Sequence, residues 1–115
     1  DLGAEIVIVP TVREADGLAL STRNDHLRPE ERAAAPVLYR SLCVARRLWE
    51  QGVRDADSIR QEMQSVIVRE TLAEIDYVSV ADADTLQELD RIRPPTLVSL
   101  AVRIGGIRLI DNITL

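Results

Sequence analysis

A chain of 115 residues suffices for one domain that buries roughly 65% of its unfolded surface, and 46% hydrophobic with 29% charged residues excludes a disordered polymer. The net charge of −5 argues against broad binding to nucleic acid or to an anionic membrane, because that affinity is built from neutralised phosphates. No apolar run approaches the roughly 18 to 20 residues of a membrane span, and no signal-peptide pattern is present.

The chain opens at Asp1 and its only methionine is Met63, so the first residues read as a cut from a longer protein. Ile6, Val7, Ile8 and Val9 form an unbroken β-branched run closed by Pro10, which suits a strand buried on both faces of a parallel sheet. A turn is expected at Asp16-Gly17, then a short extended segment in which Leu18 and Leu20 alternate with Ala19 and Ser21. Pro29, Glu30 and Glu31 begin a helix. Its cap position holds Arg28, and the missing Ser or Asp costs about 1 kcal/mol unless another group, with Asp25 a candidate, takes its place.

Pro36 removes a backbone donor and predicts a kink or break, with the longer helix over residues 37–51, ended by Gly52. Leu38, Leu42, Ala45 and Trp49 recur at helical spacing and form its inward face. Cys43, the single cysteine, falls among those apolar positions and is expected to be a buried, inert thiol, which fits a reducing compartment, the cytoplasm. A second helix starts with Asp55 or Asp57 as cap and carries Ile59, Met63, Val66 and Ile67 to about Thr71. The period then changes: residues 75–82 alternate as a strand, and Asp82 and Asp84 are expected to cap a turn at Thr85. A longer strand holds Val98, Leu100, Val102 and Ile104 on one face, and Gly105-Gly106 makes a tight hairpin into residues 107–115. The fold class is α+β, a helix pair packed on a small three-stranded antiparallel sheet.

Chemistry is suggested at the join between the extended segment and the first helix. Ser21, Thr22 and Arg23 place two hydroxyls, their amides and a guanidinium just before a helix N-terminus, which outlines an anion cradle. As a bare pattern this is ordinarily a set of turn and capping residues. All 14 basic residues are arginine, whose rigid fork suits phosphates, although GC-rich coding is the plainer explanation for that bias.

The longer string is more specific. Pro10 to Glu14, Asp16 to Ser21, Arg23-Asn24, Leu27, Pro29 to Arg32, Tyr77-Val78, Asp82, Thr85-Leu86 and Arg108 to Asn112 occur in an order that resembles the C-terminal domain of the bacterial pantothenate synthetase (pantoate–β-alanine ligase) family over nearly the whole chain. The resemblance implies an enzyme that uses ATP and Mg²⁺ to form a pantoyl adenylate, releases pyrophosphate, and lets β-alanine attack to give pantothenate and AMP. It implies that residues 1–10 end an N-terminal nucleotide-binding, Rossmann-like domain and its linker, and that residues 11–115 form a lid-like domain. Carried over by position, Ser21, Thr22 and Arg23 contact the ATP phosphates, Leu20 lies beside them, and Val12 meets the adenine through its backbone. Arg23 is the expected catalytic group, since charge builds on the departing pyrophosphate in the transition state. The Mg²⁺ site and the pantoate and β-alanine contacts fall to the N-terminal domain of the same chain, so no metal ligand is expected here and this piece alone should be inactive. The full enzyme is expected to be a homodimer and this piece a monomer.

Two positions depart from the family pattern. Thr22 stands where a second serine is usual, which keeps the hydroxyl and stiffens χ1. His26 stands where tyrosine is common; as a lone histidine without a partnered Asp or Cys it is expected to face solvent or pack. Arg13, Glu14 and Asp16 are expected to form an ion pair that shapes the loop, and Asp111 and Asn112 to serve hairpin hydrogen bonding. The competing reading is a non-catalytic interaction module that presents its helix pair or sheet edge to a partner.

Overall fold

Six elements follow one another in the computed structural model, which describes residues 12–19 and 26–115. They are α1 (Pro29–Ala34), α2 (Val37–Glu50), α3 (Ala56–Val68), β1 (Ala73–Asp82), β2 (Thr96–Ile104) and β3 (Ile107–Thr114). The expected strand at Ile6 to Val9 lies outside the described residues.

The sheet has the order β1-β2-β3, with both pairings antiparallel. On the middle strand Val98, Leu100, Val102 and Ile104 are fully buried, as their alternation predicts, because α2 and α3 pack against that side of the sheet. Each such side chain taken from water contributes about 1.5–3 kcal/mol. The facing stripes are Val37, Leu38, Leu42 and Ala45 on α2, and Ala56, Ile59, Met63 and Ile67 on α3.

Two expectations about α2 change. Cys43 is exposed, since at about 100° per residue it is rotated well away from the arc defined by Leu38, Leu42 and Ala45. Trp49 packs against the rim of the core and is only partly buried. The Arg54 guanidinium covers its ring at 3.6 Å and donates to the Trp49 carbonyl at 3.0 Å.

The helix ends show how the sequence solves its capping problems. α1 stops at Ala34, and past Pro36, which has no N–H, the chain restarts as α2. At the α1 N-terminus the Arg28 N–H donates to Glu31 Oε1 at 2.8 Å, the reciprocal half of a capping box, so the acidic third residue compensates for a poor cap. α3 is capped by Asp55, whose carboxylate accepts from Ser58 N at 3.1 Å, while the Ala56 N–H is satisfied by the Asp90 carbonyl at 2.9 Å.

β1 does not alternate throughout. Its register with β2 shifts between Ile75 and Tyr77, which leaves Asp76 as a bulge residue and keeps both Asp76 and Tyr77 exposed. Asp76 accepts from Arg103 at 3.1 Å and Arg108 at 2.8 Å across the outer face. Those two guanidinium groups hold its carboxyl below the usual range, Arg108 having the larger effect. The turn after β1 is capped by Asp82, which accepts from the amides of Asp84 and Thr85 at 2.8 and 2.9 Å. Arg60 on α3 ties this loop down through the carbonyls of Val80 and Leu89. Gly105 and Gly106 both adopt positive φ, as a two-residue primed hairpin requires. A side chain at Gly105 would also run into the Glu31 carboxylate, so the hairpin and the α1 start fit against one another.

Candidate functional site

Residues 12–19 form the described approach to the expected phosphate-contacting segment. The Asp16-Gly17 turn is present: Gly17 N–H donates to the Glu14 carbonyl at 2.9 Å and Glu14 N–H to the Leu18 carbonyl at 2.8 Å, and Arg13 pairs with Ala19 in an antiparallel bridge. Gly17 has φ +92°, and the Tyr39 ring of α2 fills the space a Cβ would occupy. Only glycine meets both conditions. Leu18 is buried in the main core and anchors the turn.

Arg13 connects this turn to the rest of the domain. Its Nη1 and Nη2 donate to Asp111 Oδ2 and Oδ1 at 2.5 and 2.9 Å, Nη1 also reaches the Gly17 carbonyl at 3.0 Å, and the guanidinium lies 4.5 Å from the Tyr39 ring centroid. The Asp111 hydrogen bonds raise the Arg13 pKa above its ordinary value against a smaller opposing effect of burial. Asp111 is 4% exposed. This corrects the expectation of a hairpin hydrogen-bonding role: apart from its own chain neighbour Asn112, whose N–H it accepts at 2.8 Å, Asp111 is committed to an arginine far away in sequence.

A second clamp comes from α1. Arg32 donates to Glu14 Oε2 at 2.8 Å and to Asp16 Oδ2 at 2.7 Å; this corrects the expected pairing among Arg13, Glu14 and Asp16, because Arg13 is taken by Asp111 and the cation for both carboxylates comes from α1. The Arg32 hydrogen bond and the Leu18 amide depress the Asp16 pKa, and Asp16 in turn raises that of Arg32. The Tyr39 phenol is pushed above its usual value, chiefly by hydrogen bonding with the Cys43 side chain. Next to Tyr39 and Asp16 a groove of about 610 Å³ opens between α2 and the end of α3, with Arg40, Arg47 and Arg69 in its wall.

The expected site residues divide sharply. Leu20, Ser21, Thr22 and Arg23 lie outside the described residues, while Val12 is described and 66% exposed. His26 is exposed. Among the described residues no group of three His, Cys, Asp or Glu side chains is gathered as a metal site, and none of their helices is long and apolar enough to cross a membrane. Sequence reasoning missed Tyr39, Arg32 and the Arg13–Asp111 pair. The first two carry no local signal, and the pair spans 98 residues.

A family model described as Pantoate-beta-alanine ligase matches residues 1–114. Pantothenate synthetase of Herpetosiphon aurantiacus is 56% identical over 112 residues, covering 96% of this chain and 41% of that protein. Pantothenate synthetase of Chloroflexus aurantiacus is 58% identical over 113 residues, covering 97% and 40%. The crystal structure of pantothenate synthetase from Thermus thermophilus superposes with a TM-score of 0.88 at 38% identity, covering 95% of this chain and 39% of that one. The chain thus spans about two-fifths of the length of these curated relatives.

Proposed function

The chain belongs to the pantoate–β-alanine ligase family, and on that premise we propose that it is the C-terminal part of an ATP-dependent enzyme that joins pantoate to β-alanine. In the proposed reaction a pantoate carboxylate oxygen attacks the α-phosphorus of ATP, pyrophosphate leaves with the negative charge, and the β-alanine amine displaces AMP from the adenylate to give pantothenate. Residues 1–10 end the N-terminal nucleotide-binding domain and its linker, and residues 11–115 close over the nucleotide. That N-terminal domain holds pantoate, β-alanine and the Mg²⁺ that accompanies ATP; none of its ligands is assigned to the residues described above.

This chain's own part is recognition of the nucleotide. Val12 meets the adenine through its main chain, Leu20 lies beside the phosphates, and Ser21, Thr22 and Arg23 donate to them. Arg23 acts most strongly on the departing pyrophosphate, where its charge stabilises the transition state more than the ground state. The observation that carries this reading is the family match over residues 1–114, a range that includes Ser21 to Arg23. The clamped turn that leads into that segment supports it.

The test is pantoate-dependent pyrophosphate release by the full-length enzyme carrying Arg23→Ala. A charge-assisted hydrogen bond is worth about 1.5–3 kcal/mol, so one made only in the transition state lowers kcat by roughly 10- to 150-fold. Thermal stability should be unchanged. Wild-type turnover would remove Arg23 from the mechanism.

A further inference from the structure

We infer that Asp111 is a positioning residue for the adenine end of the nucleotide, holding the main chain of Val12 in register through its two-pronged pair with Arg13. The inference rests on the reading of Val12 given above.

Asp111 is on β3, opposite Leu100 of the middle strand, and shares the core-facing row with Leu109 and Ile113. A carboxylate in that row is a poor choice for stability alone, since an apolar side chain of similar volume avoids the cost of desolvating a charge. What it supplies is a fixed point. Oδ1 accepts from Arg13 Nη2 and from the Asn112 amide, and Oδ2 from Arg13 Nη1. The carboxylate is therefore held by its own strand while it holds the arginine.

Arg13 is constrained on three sides: Asp111 takes both prongs, the Gly17 carbonyl accepts from Nη1, and the Tyr39 ring lies under the guanidinium plane. A guanidinium so fixed leaves the Arg13 backbone little freedom, and Val12 is its immediate neighbour. The other clamp, Arg32 on Glu14 and Asp16, is 29% exposed on the arginine side and 38% and 44% on the carboxylates, so water and salt weaken it. The Arg13–Asp111 pair, with side chains 18% and 3% exposed, is the better shielded of the two and is the one that sets the position of Val12.

The experiment uses the full-length enzyme with Asp111→Asn, which keeps the shape and removes the charge, and with Arg13→Lys, which keeps the charge and removes the fork. Circular dichroism and thermal melts identify the folded variants. In these the KM for ATP rises about tenfold, the preference for ATP over GTP falls, and the KM for β-alanine stays within about twofold, the pattern of lost nucleotide binding rather than lost structure. If Asp111→Asn does not fold, Arg13→Lys decides. An ATP KM within about twofold of wild type in a folded variant, or a loss of rate that only follows the folded fraction, overturns the inference and leaves the proposed function standing. A wild-type enzyme that releases no pyrophosphate from ATP and pantoate overturns both.

Discussion

Replacing Gly17 by alanine probes the contact on which the approach to the proposed nucleotide-contacting segment is built. At φ +92° a side chain is strained, at a cost of about 1–3 kcal/mol. The added Cβ also lands on the Tyr39 ring, and overfilling a packed contact costs about 1–3 kcal/mol more. Tyr39 is only half-buried and can swing partly outward, so the sum falls near 2–4 kcal/mol. With a urea slope of about 1.5 kcal/mol/M, a loss of 3 kcal/mol lowers the unfolding midpoint by about 2 M. The same substitution made in a Tyr39→Ala background meets no ring, and only the backbone strain should remain, about 1–2 kcal/mol less than in the native background. A Gly17→Ala cost below about 1 kcal/mol, or an equal cost with and without the Tyr39 ring, would refute the reasoning.

The carboxyls of Asp16, Asp76 and Asp82 are all depressed in the folded chain, by Arg32, by Arg108 with Arg103, and by the Thr85 and Asp84 amides respectively. The unfolded chain therefore binds more protons in acid; the stabilisation is fully present above the ordinary carboxylate range near pH 4 and is lost as pH falls through the depressed folded values. Urea midpoints measured from pH 7 to pH 2 should fall on the acid side, less steeply for Asp76→Asn, and a flat profile would contradict the ion pairs. Cys43 should react with an aromatic disulfide reagent without denaturant, as its exposure requires; labelling only after unfolding would return the thiol to the core. Asp55→Ala should lower stability by about 1 kcal/mol, measured by thermal melts, through loss of the α3 cap on Ser58.

Much of the fold is legible because its signals are local. The alternation of Val98 to Ile104, the Gly105-Gly106 hairpin, the Asp55 and Asp82 caps and the break at Pro36 each depend on residues within one or two turns of chain. Errors arise where a tertiary partner or a small phase difference decides. Cys43 sits one residue beyond the Leu42 stripe and faces out. Asp76 is a bulge that breaks the alternation the sequence suggests for β1. Asp111 looked like a hairpin residue until its partner, Arg13, was visible across the domain. The Arg28 cap shows the same effect on a smaller scale, because its weakness is compensated by Glu31 three residues on. As for the site, Ser21, Thr22 and Arg23 were marked by residue type and by likeness to a family, whereas nothing local to Tyr39 or Arg32 pointed to their part in holding the neighbouring turn, even though Arg32 lies within the same likeness.

The most direct measurement is a crystal structure of the full-length enzyme bound to a non-hydrolysable ATP analogue. The expected result is the Arg23 guanidinium at hydrogen-bond distance, about 2.7–3.2 Å, from a phosphate oxygen, with the Ser21 or Thr22 hydroxyl beside it. An Arg23 side chain in bulk water, far from every phosphate in open and closed forms alike, would contradict the proposed role.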